Sequence, residues 1–423
     1  MTANKEAQSA NIKKFIVYSN RGSGSCDVST GVVLFDYYES VLEHTITVST
    51  TIIDTGNAPG SKTVLEGLKL SGFEKVELEF EDNYGNVLKF DELYISKIRN
   101  IFSDRQNAVF TLDIVSKEFL TNQFTNSEVY RRFDGEISES VMRILRDNIK
   151  TDKIIDVDTT VNKYNFIGGG KKPFKLATEV AKLSVPSGSS GTSAGYFLFE
   201  TYDGFKFKSI DKLFEQEPVA KYIFNGTTLL PPGYDAKILR YDASKTIDVM
   251  SNLVMGSYES KIETFDPYTD KFRTTKQLSS EQQEELGGLE SPKLGEGFEG
   301  ATRRSYKRMD VGHLPEPANN SNSQLQKATK ENLDSNNVLI QSSMRYNQVF
   351  TLVLSIIIPG DCSLRAGDLV FCDFPEQGEK ETIMADKELS GIYMISDICF
   401  HITPSSTLTK MNLVRDSFGR KPR

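Results

Sequence analysis

The stretch that most constrains the fold lies near the C-terminus. There Leu354-Ser-Ile-Ile-Ile-Pro-Gly-Asp361 is followed by Leu364-Arg-Ala-Gly-Asp-Leu-Val-Phe371, Ser390-Gly-Ile-Tyr-Met-Ile395 and Leu408-Thr-Lys-Met-Asn-Leu-Val-Arg-Asp416. Apolar β-formers alternate through Leu352, Leu354, Ile356 and Ile358, so one face of the segment must be buried and the other not. Pro359-Gly360 has the composition of a type II turn, with Gly360 supplying the positive φ, and Gly367-Asp368 turns the chain into the next strand. Gly391 opens a further strand. The pattern predicts a small antiparallel barrel and contains no recognisable catalytic group.

A chain of 423 residues has room for about three domains. At 38% hydrophobic and 10% aromatic it can build packed cores. A formal charge of −8 argues against a broad surface that grips DNA or anionic lipid. The segment Met1 to Asn11 is polar and lacks the apolar centre of a signal peptide, and no run approaches the ~18 apolar residues of a membrane span. Synthesis and folding in a cytoplasm, without stable membrane insertion, are expected. Cys26, Cys362, Cys372 and Cys399 are widely spaced with no C-x-x-C pair, which reads as ordinary half-buried thiols rather than a zinc site or a disulfide framework.

Residues 1–12 read as a tail. Residues 13–117 are nearly all strand, with candidates at Phe15 to Ser19, Gly31 to Tyr38, Thr45 to Ile53, Val76 to Glu81, Val87 to Phe90, Leu93 to Ile98 and Ala108 to Val115. Asp82-Asn-Tyr-Gly-Asn86 has hairpin-turn composition. Over 118–218 the period changes. Ile137, Val141, Ile144, Leu145 and Ile149 form one helical stripe, and Pro173 opens a second with Leu176, Val180 and Leu183. An aromatic hairpin from Tyr196 to Ile210, turned at Asp203-Gly204, closes this α+β insert. Strands return over 219–273, including a hairpin around Asn225-Gly226 and a strand from Ser257 to Phe265. Residues 274–332 form a polar excursion with little periodicity. A last strand-rich segment, 333–423, completes a second β unit with 219–273. The fold class is therefore mainly β (α+β): two antiparallel β-barrel domains, an α+β insert and a long polar excursion.

Strict alternation in Val76-Glu-Leu-Glu-Phe-Glu81 buries Val76, Leu78 and Phe80 and puts Glu77, Glu79 and Glu81 on one open face. Glu259 and Glu263 share a face in a similar later strand. Such faces are either solvated sheet surface or a wall that repels polyanions over ~8 Å at physiological salt. Arg303, Arg304, Lys307 and Arg308 form a basic cluster that reads as a solvated loop or as a dock for an acidic neighbour. Catalytic readings are weak. His44, His313 and His401 stand in no metal or nucleophile motif, and Gly168-Gly-Gly-Lys-Lys-Pro173 lacks the glycine spacing and the Ser or Thr of a phosphate loop, so it reads as a tight turn entering a helix. No catalytic residue, metal or cofactor is expected.

The order of the early β unit with its Ile52-Ile53-Asp54 strand end, the helical insert closing in the Phe197 to Ile210 hairpin, and the late Pro359-Gly360, Gly367-Asp368 and Gly391-x-Tyr393 series resembles the central baseplate hub proteins of contractile-tailed bacteriophages. The resemblance covers most of the chain. It implies two similar tube-forming domains per chain and a homotrimer whose ring of six joins a hexameric tail tube protein to a trimeric spike protein, with baseplate wedge proteins outside and DNA passing through. Glu77, Glu79, Glu81, Glu259 and Glu263 would then be candidates to line the channel. Residence in the virion tail follows. Three chains would carry −24, so apolar burial and edge-strand pairing would have to hold the ring. The trunk of a contractile injection or type VI secretion spike is the related alternative, and a tail-associated cell-wall hydrolase the alternative of another class.

Overall fold

The computed structural model describes residues 10–22, 24–54, 56, 62–103, 107–187, 194–225, 230–244, 259–266, 271–278, 304–309, 320–323, 335–350, 352–375 and 389–416. It is mainly β. The early unit holds β1 (Asn11–Tyr18), β2 (Ser25–Asp27), β3 (Val32–Ser40), β4 (Thr47–Asp54), β5 (Lys75–Glu81), β6 (Val87–Ser103) and β7 (Ala108–Ser116). Two short strands expected at Val87 to Phe90 and Leu93 to Ile98 are one, because a register shift between Ile95 and Lys97 lets β6 run on with β7 after it leaves β5. The pairings form a ring: β1 with β5, β5 with β6, β6 with β7, β7 with β4, β4 with β3. It closes because β2, which continues through a short 3₁₀ turn into β3, pairs with β1.

The insert comprises β8 (Arg132–Phe133), β9 (Ile155–Val157), β10 (Phe166–Ile167), β11 (Tyr196–Thr201) and β12 (Gly204–Ser209) with helices at Lys117–Gln123, Ile137–Arg143 and Pro173–Ala181. The expected Ile137–Ile149 stripe is helical throughout, its last turn of π type, and ends where Lys150 takes a φ of 59°. Pro173 sits in the first turn of its helix, where its missing N–H costs no intrahelical bond. The glycine run before it is the expected tight turn: Gly169 and Gly170 have positive φ, and a Cβ on Gly168 would stand 2.3 Å from the Val129 carbonyl oxygen. The insert has its own core around Phe133, Val141, Leu145, Leu176, Phe205 and Phe207.

The late unit holds β13 (Ala220–Ile223), β14 (Ala236–Lys237), β15 (Arg240–Ser244), then, beyond β16 (Glu259–Asp266), β17 (Lys271–Leu278) and β18 (Arg304–Met309), the strands β19 (Leu352–Pro359), β20 (Leu369–Asp373), β21 (Gly391–Ile402) and β22 (Thr407–Arg415). Its pairings run β13 with β20, β20 with β21, β21 with β22, β22 with β19, β19 with β15. The ring again closes through a split strand. β14 pairs with β13, and Ile238 N–H donates to Ile223 O (2.9 Å) just before Leu239 N–H donates to Ile357 O (2.8 Å), passing the chain from one neighbour to the other.

Matching β1, β2, β3, β4, β5, β6, β7 to β13, β14, β15, β19, β20, β21, β22 reproduces every pairing in the same cyclic order, with β13 alone reversed in direction. Detail recurs too. Ile95 N–H donates to Glu74 O and Ile395 N–H to Asp368 O, while Phe73 N–H donates to Ile95 O and Gly367 N–H to Ile395 O. Phe73 and Gly367 both have positive φ, 66° and 89°. Ser49 Oγ donates to Asp113 (3.1 Å) where Ser355 Oγ donates to Asn412 (2.7 Å). Chain order and hydrogen bonding thus describe one unit built twice.

Four expectations need correction. Gly360 does not have positive φ, so Pro359-Gly360 is not the expected type II turn. Glycine is needed there for space, since a Cβ would lie 2.4 Å from Thr407 Cγ2. Residues 226–229 of the hairpin expected around Asn225-Gly226 lie outside the described residues, and its first strand, β13, pairs in parallel with both β14 and β20. The strand at Ser257 to Phe265 pairs as β16 with β17 and β18 in a separate sheet, so it lies outside the ring of the second barrel. Parts of the polar excursion, in β17 and β18, are strand, residues 320–323 form a short helical turn, and the rest lies outside the described residues. A helix, Ser335–Val349, follows and docks through the buried Arg345 on Asp211 (2.6 Å) and Asp416 (3.0 Å). No helix among the described residues is long and apolar enough to cross a membrane.

Candidate assembly surface

The two units meet edge to edge. The C-terminal half of β21 pairs antiparallel with β3, from Asp397 opposite Ser40 to Ile402 opposite Phe35. Both units consequently share one hydrophobic core, in which Tyr37 stacks on Phe400 with centroids 5.5 Å apart and planes 7° apart. Each buried aromatic of this kind contributes on the order of 2–3 kcal/mol. Eight strands now form one uninterrupted antiparallel sequence, β6, β7, β4, β3, β21, β22, β19 and β15.

Glu39 fastens the junction from inside. It is buried on β3, where Oε1 accepts from Tyr37 Oη (2.8 Å) and from the Tyr202 N–H (2.8 Å), and Oε2 accepts from the Ala366 N–H (3.0 Å). One carboxylate therefore ties the early unit to the tip of the insert hairpin and to the turn preceding Gly367-Asp368 of the late unit. Burial pushes its carboxyl above the ordinary value, opposed by the nearby Arg365 guanidinium.

The eight-strand sheet has a core-facing side and a polar side. Around the junction the polar side carries Asp36, Tyr38, Asp397, Cys399 and His401, with His401 Nδ1 2.6 Å from Asp36 Oδ1. Outward along it stand Asp113 with Arg99 (2.9 Å), Lys97, Lys410, Asp242 and Arg240. Acids and bases alternate there, so this face is neither an acidic wall nor a polyanion grip.

The proposed channel carboxylates lie elsewhere. Glu77, Glu79 and Glu81 do share the outward face of β5, with Val76, Leu78 and Phe80 buried as the alternation requires. β5 is outside the eight-strand sequence, however, and its acids are largely partnered: Glu77 by Lys14 and Lys75, Glu81 by Lys13 (2.7 Å). The Lys14 hydrogen bond draws the Glu77 carboxyl down to about 2. Glu263 pairs with Lys261 on β16, in the separate sheet, and the Glu259 side chain lies outside the described residues. Of the turn residues, Gly367 and Gly391 have positive φ, and Asp368 accepts from the Arg365 N–H (2.8 Å), shaping the turn.

One cleft of about 260 Å³ separates the early unit from the insert, lined among others by Lys89, Glu92, Lys117, Lys153 and Glu200. Its two buried acids, Glu118 and Glu200, are joined by Lys153 Nζ, which donates to both. Glu200 also accepts from the Ile46 N–H (3.1 Å) and Ser116 Oγ (2.9 Å). Burial raises its carboxyl to about 6. A carboxylate pair held together by a lysine leaves no room between its members for a substrate bond, and the arrangement reads as a brace between domains. His44 stacks on Phe174 and contacts Thr178 Oγ1 (2.7 Å), and His313 lies outside the described residues.

Sequence reading missed Glu39, Glu200 and Arg345, because a lone acid or base in a β-rich stretch carries no sign of its burial. It also passed over a usable signal, Ile95-Ser-Lys-Ile98 against Ile395-Ser-Asp-Ile398, which marks equivalent bends in β6 and β21.

No protein-family model matches the chain, and no curated protein matches it. Among solved structures it is similar to the tail protein from Neisseria meningitidis MC58, at 12% identity and a TM-score of 0.53 over 96% of this chain and 97% of that one. It is also similar to the 43 kDa tail protein of prophage MuSo2 from Shewanella oneidensis, at 10% identity and a TM-score of 0.54 over 97% of this chain and all of that one. The chain has the fold of these tail proteins.

Proposed function

We propose that the chain is a structural hub of a phage tail baseplate, in which three copies form a ring of six β units joining a sixfold tail tube to a threefold spike. The observation that carries this reading is the repeat: two units of identical pairing order, set side by side in one sheet, are what a threefold assembly needs in order to present six equivalent positions. Tail tube and spike proteins are the axial partners, wedge proteins the peripheral ones, and the virion tail the site of action after synthesis in the host cytoplasm. The chain acts by shape and attachment, without catalysis.

We assign the DNA passage to the polar side of the eight-strand sheet rather than to the β5 acids. Three copies of eight strands would give a continuous wall of 24, and its alternating charges would let a polyanion slide without holding it. Light scattering on the purified protein tests the oligomer, and electron microscopy of the same sample tests the ring. A trimer with an axial hole is expected, and a stable monomer at micromolar concentration overturns the reading.

A further inference from the structure

The basic cluster visible in the sequence does not stand alone in the fold. Arg304, Lys307 and Arg308 lie on β18, Arg303 lies outside the described residues, and Lys271, Arg273 and Lys276 lie on β17. β16 runs between these strands and pairs with both, so two basic segments far apart in the chain become the flanks of one sheet. Seven residues of the three strands are Lys or Arg and three are Asp or Glu, a net charge of +4 in a chain whose total is −8. The sheet packs beside the helix Ser335–Val349, which Arg345 fixes to Asp211 of the insert and Asp416 of the late unit. A basic element is thus mounted on an acidic molecule.

One face of this sheet is open. Phe272 is 79% exposed and Thr274 is exposed, and residues directly opposed on neighbouring strands share a face. Register therefore sets three cross-strand rows there: Phe272, Phe265 and Met309, then Thr274, Glu263 and Lys307, then Lys276, Lys261 and Ser305. Phe272 lies against Phe265 with ring centroids 4.7 Å apart, and Lys261 is paired with Glu263. The face has an apolar end and a basic end, four residues or about 13 Å apart along β16. An exposed aromatic pair next to cations has the make-up of a recognition surface. Glu259, Glu263 and Asp266 all lie on β16, the middle strand, and the remaining cations on the two flanks. A phosphate chain crossing the sheet would pass over those carboxylates, whereas a polypeptide can set an apolar side chain on the Phe pair and its own carboxylates on the flanks.

We propose that the open face of the β16–β18 sheet docks an acidic segment of a partner protein, with an apolar residue of that segment on Phe265 and Phe272 and its carboxylates at the flanking Lys276 and Lys307. The assignment does not depend on the ring reading. It gives the basic cluster a use that neither the tube nor the DNA passage requires, and it places the dock outside the ring of either β unit.

The test is fluorescence anisotropy of the full chain with a labelled peptide of three Gly-Glu-Phe-Glu repeats. Peptides of Gly-Glu-Ser-Glu and of Gly-Lys-Phe-Lys repeats, and an oligo-dT of the same charge as the acidic peptides, are run beside it. Saturable binding of the first peptide is expected, weakening as salt is raised, with the other three bound distinctly less well. K276E/K307Q and F272A should each weaken it by about tenfold. K175E/K182Q, the same change of charge at exposed positions of the insert, should leave it unaltered. In K276E the new carboxylate stands opposite Lys261, an oppositely charged pair that keeps the sheet intact, and circular dichroism of each variant verifies the fold. Absence of saturable binding, or equal binding by K276E/K307Q and F272A, overturns the proposal. Oligo-dT bound as tightly as the acidic peptide overturns it in favour of a nucleic-acid surface.

Discussion

Ser96 in β6 and Ser396 in β21 occupy the same step of two equivalent strands. Each is the residue skipped when its strand shifts register, between Ile95 and Lys97 in one case and Ile395 and Asp397 in the other. The extra residue bends the strand so that its first half serves one neighbour and its second half another. Deleting Ser96 would move every later side chain of β6 to the opposite face, driving Lys97 and Arg99 toward the core. The deletion should yield insoluble protein. Ser96→Ala, which removes an exposed hydroxyl bonded to the Asp113 carbonyl (3.0 Å), should cost about 1 kcal/mol or less in urea denaturation.

Glu39 should be among the most sensitive polar positions in the chain. Glu39→Ala strips the acceptor from Tyr37 Oη and from the Tyr202 and Ala366 N–H groups together. Leaving buried donors unsatisfied should cost on the order of 3 kcal/mol or more, and Glu39→Gln, which retains one acceptor oxygen, distinctly less. Chemical denaturation of both variants checks the order. Equal losses would show that packing, not the hydrogen bonds, matters there.

Glu200 should make stability depend on pH in a direction unusual for a carboxylate. Burial raises its folded value to about 6 from an ordinary 4.5. The folded state thus holds the proton more tightly than the unfolded one. The group's contribution is full below the unfolded value and is lost as pH rises through about 6, by on the order of 2 kcal/mol. Subtracting the pH profile of Glu200→Gln from that of the unaltered protein should reveal this decline between about pH 4.5 and 7. A difference curve that rises with pH would mean that Lys153 dominates instead.

Gly367 is constrained by conformation and by space. Its φ is 89°, and a Cβ would stand 3.0 Å from Phe199 Cζ. A β-branched side chain meets both obstacles, so Gly367→Val should lose about 2–3 kcal/mol and broaden the thermal transition. The equivalent Phe73 tolerates positive φ with its ring 55% exposed, and Phe73→Gly should be neutral or stabilising. Calorimetry of the pair tests whether the two positions obey one rule.

Much of this architecture was legible in the sequence, because alternation is a local signal. Val76-Glu-Leu-Glu-Phe-Glu81 and Leu352 to Ile358 announce which side chains are buried, and the structure agrees. Gly360 and Asn225-Gly226 misled for a shared reason. Both match turn composition, yet their surroundings come from distant chain: Thr407 beside Gly360, and β20 beside β13. Partners in space also shape the surroundings of the β5 acids. Alternation places Glu77, Glu79 and Glu81 on an open face but cannot report that β1 lies next door with Lys13 and Lys14, or that β5 stands apart from the junction.

That distinction yields a last expectation about passage of DNA. Ser355 and Asn412 are exposed neighbours on the polar side of the eight-strand sheet, bonded to each other at 2.7 Å. Replacing both by Lys adds two positive charges per chain and six per trimer to the face assigned to the passage. The backbone there is unaffected, since both side chains point away from the core. Particles carrying S355K/N412K should assemble but eject DNA several-fold more slowly at low salt, with the delay shrinking as salt screens the attraction over its ~8 Å range. Reversing Glu77, Glu79 and Glu81 to Lys should leave ejection unchanged while weakening the early unit slightly, because new lysines would crowd Lys13, Lys14 and Lys75. If the β5 variant were the slow one and S355K/N412K ran at the normal rate, the passage would be lined by the β5 face, and the wall of eight strands per chain would face outward.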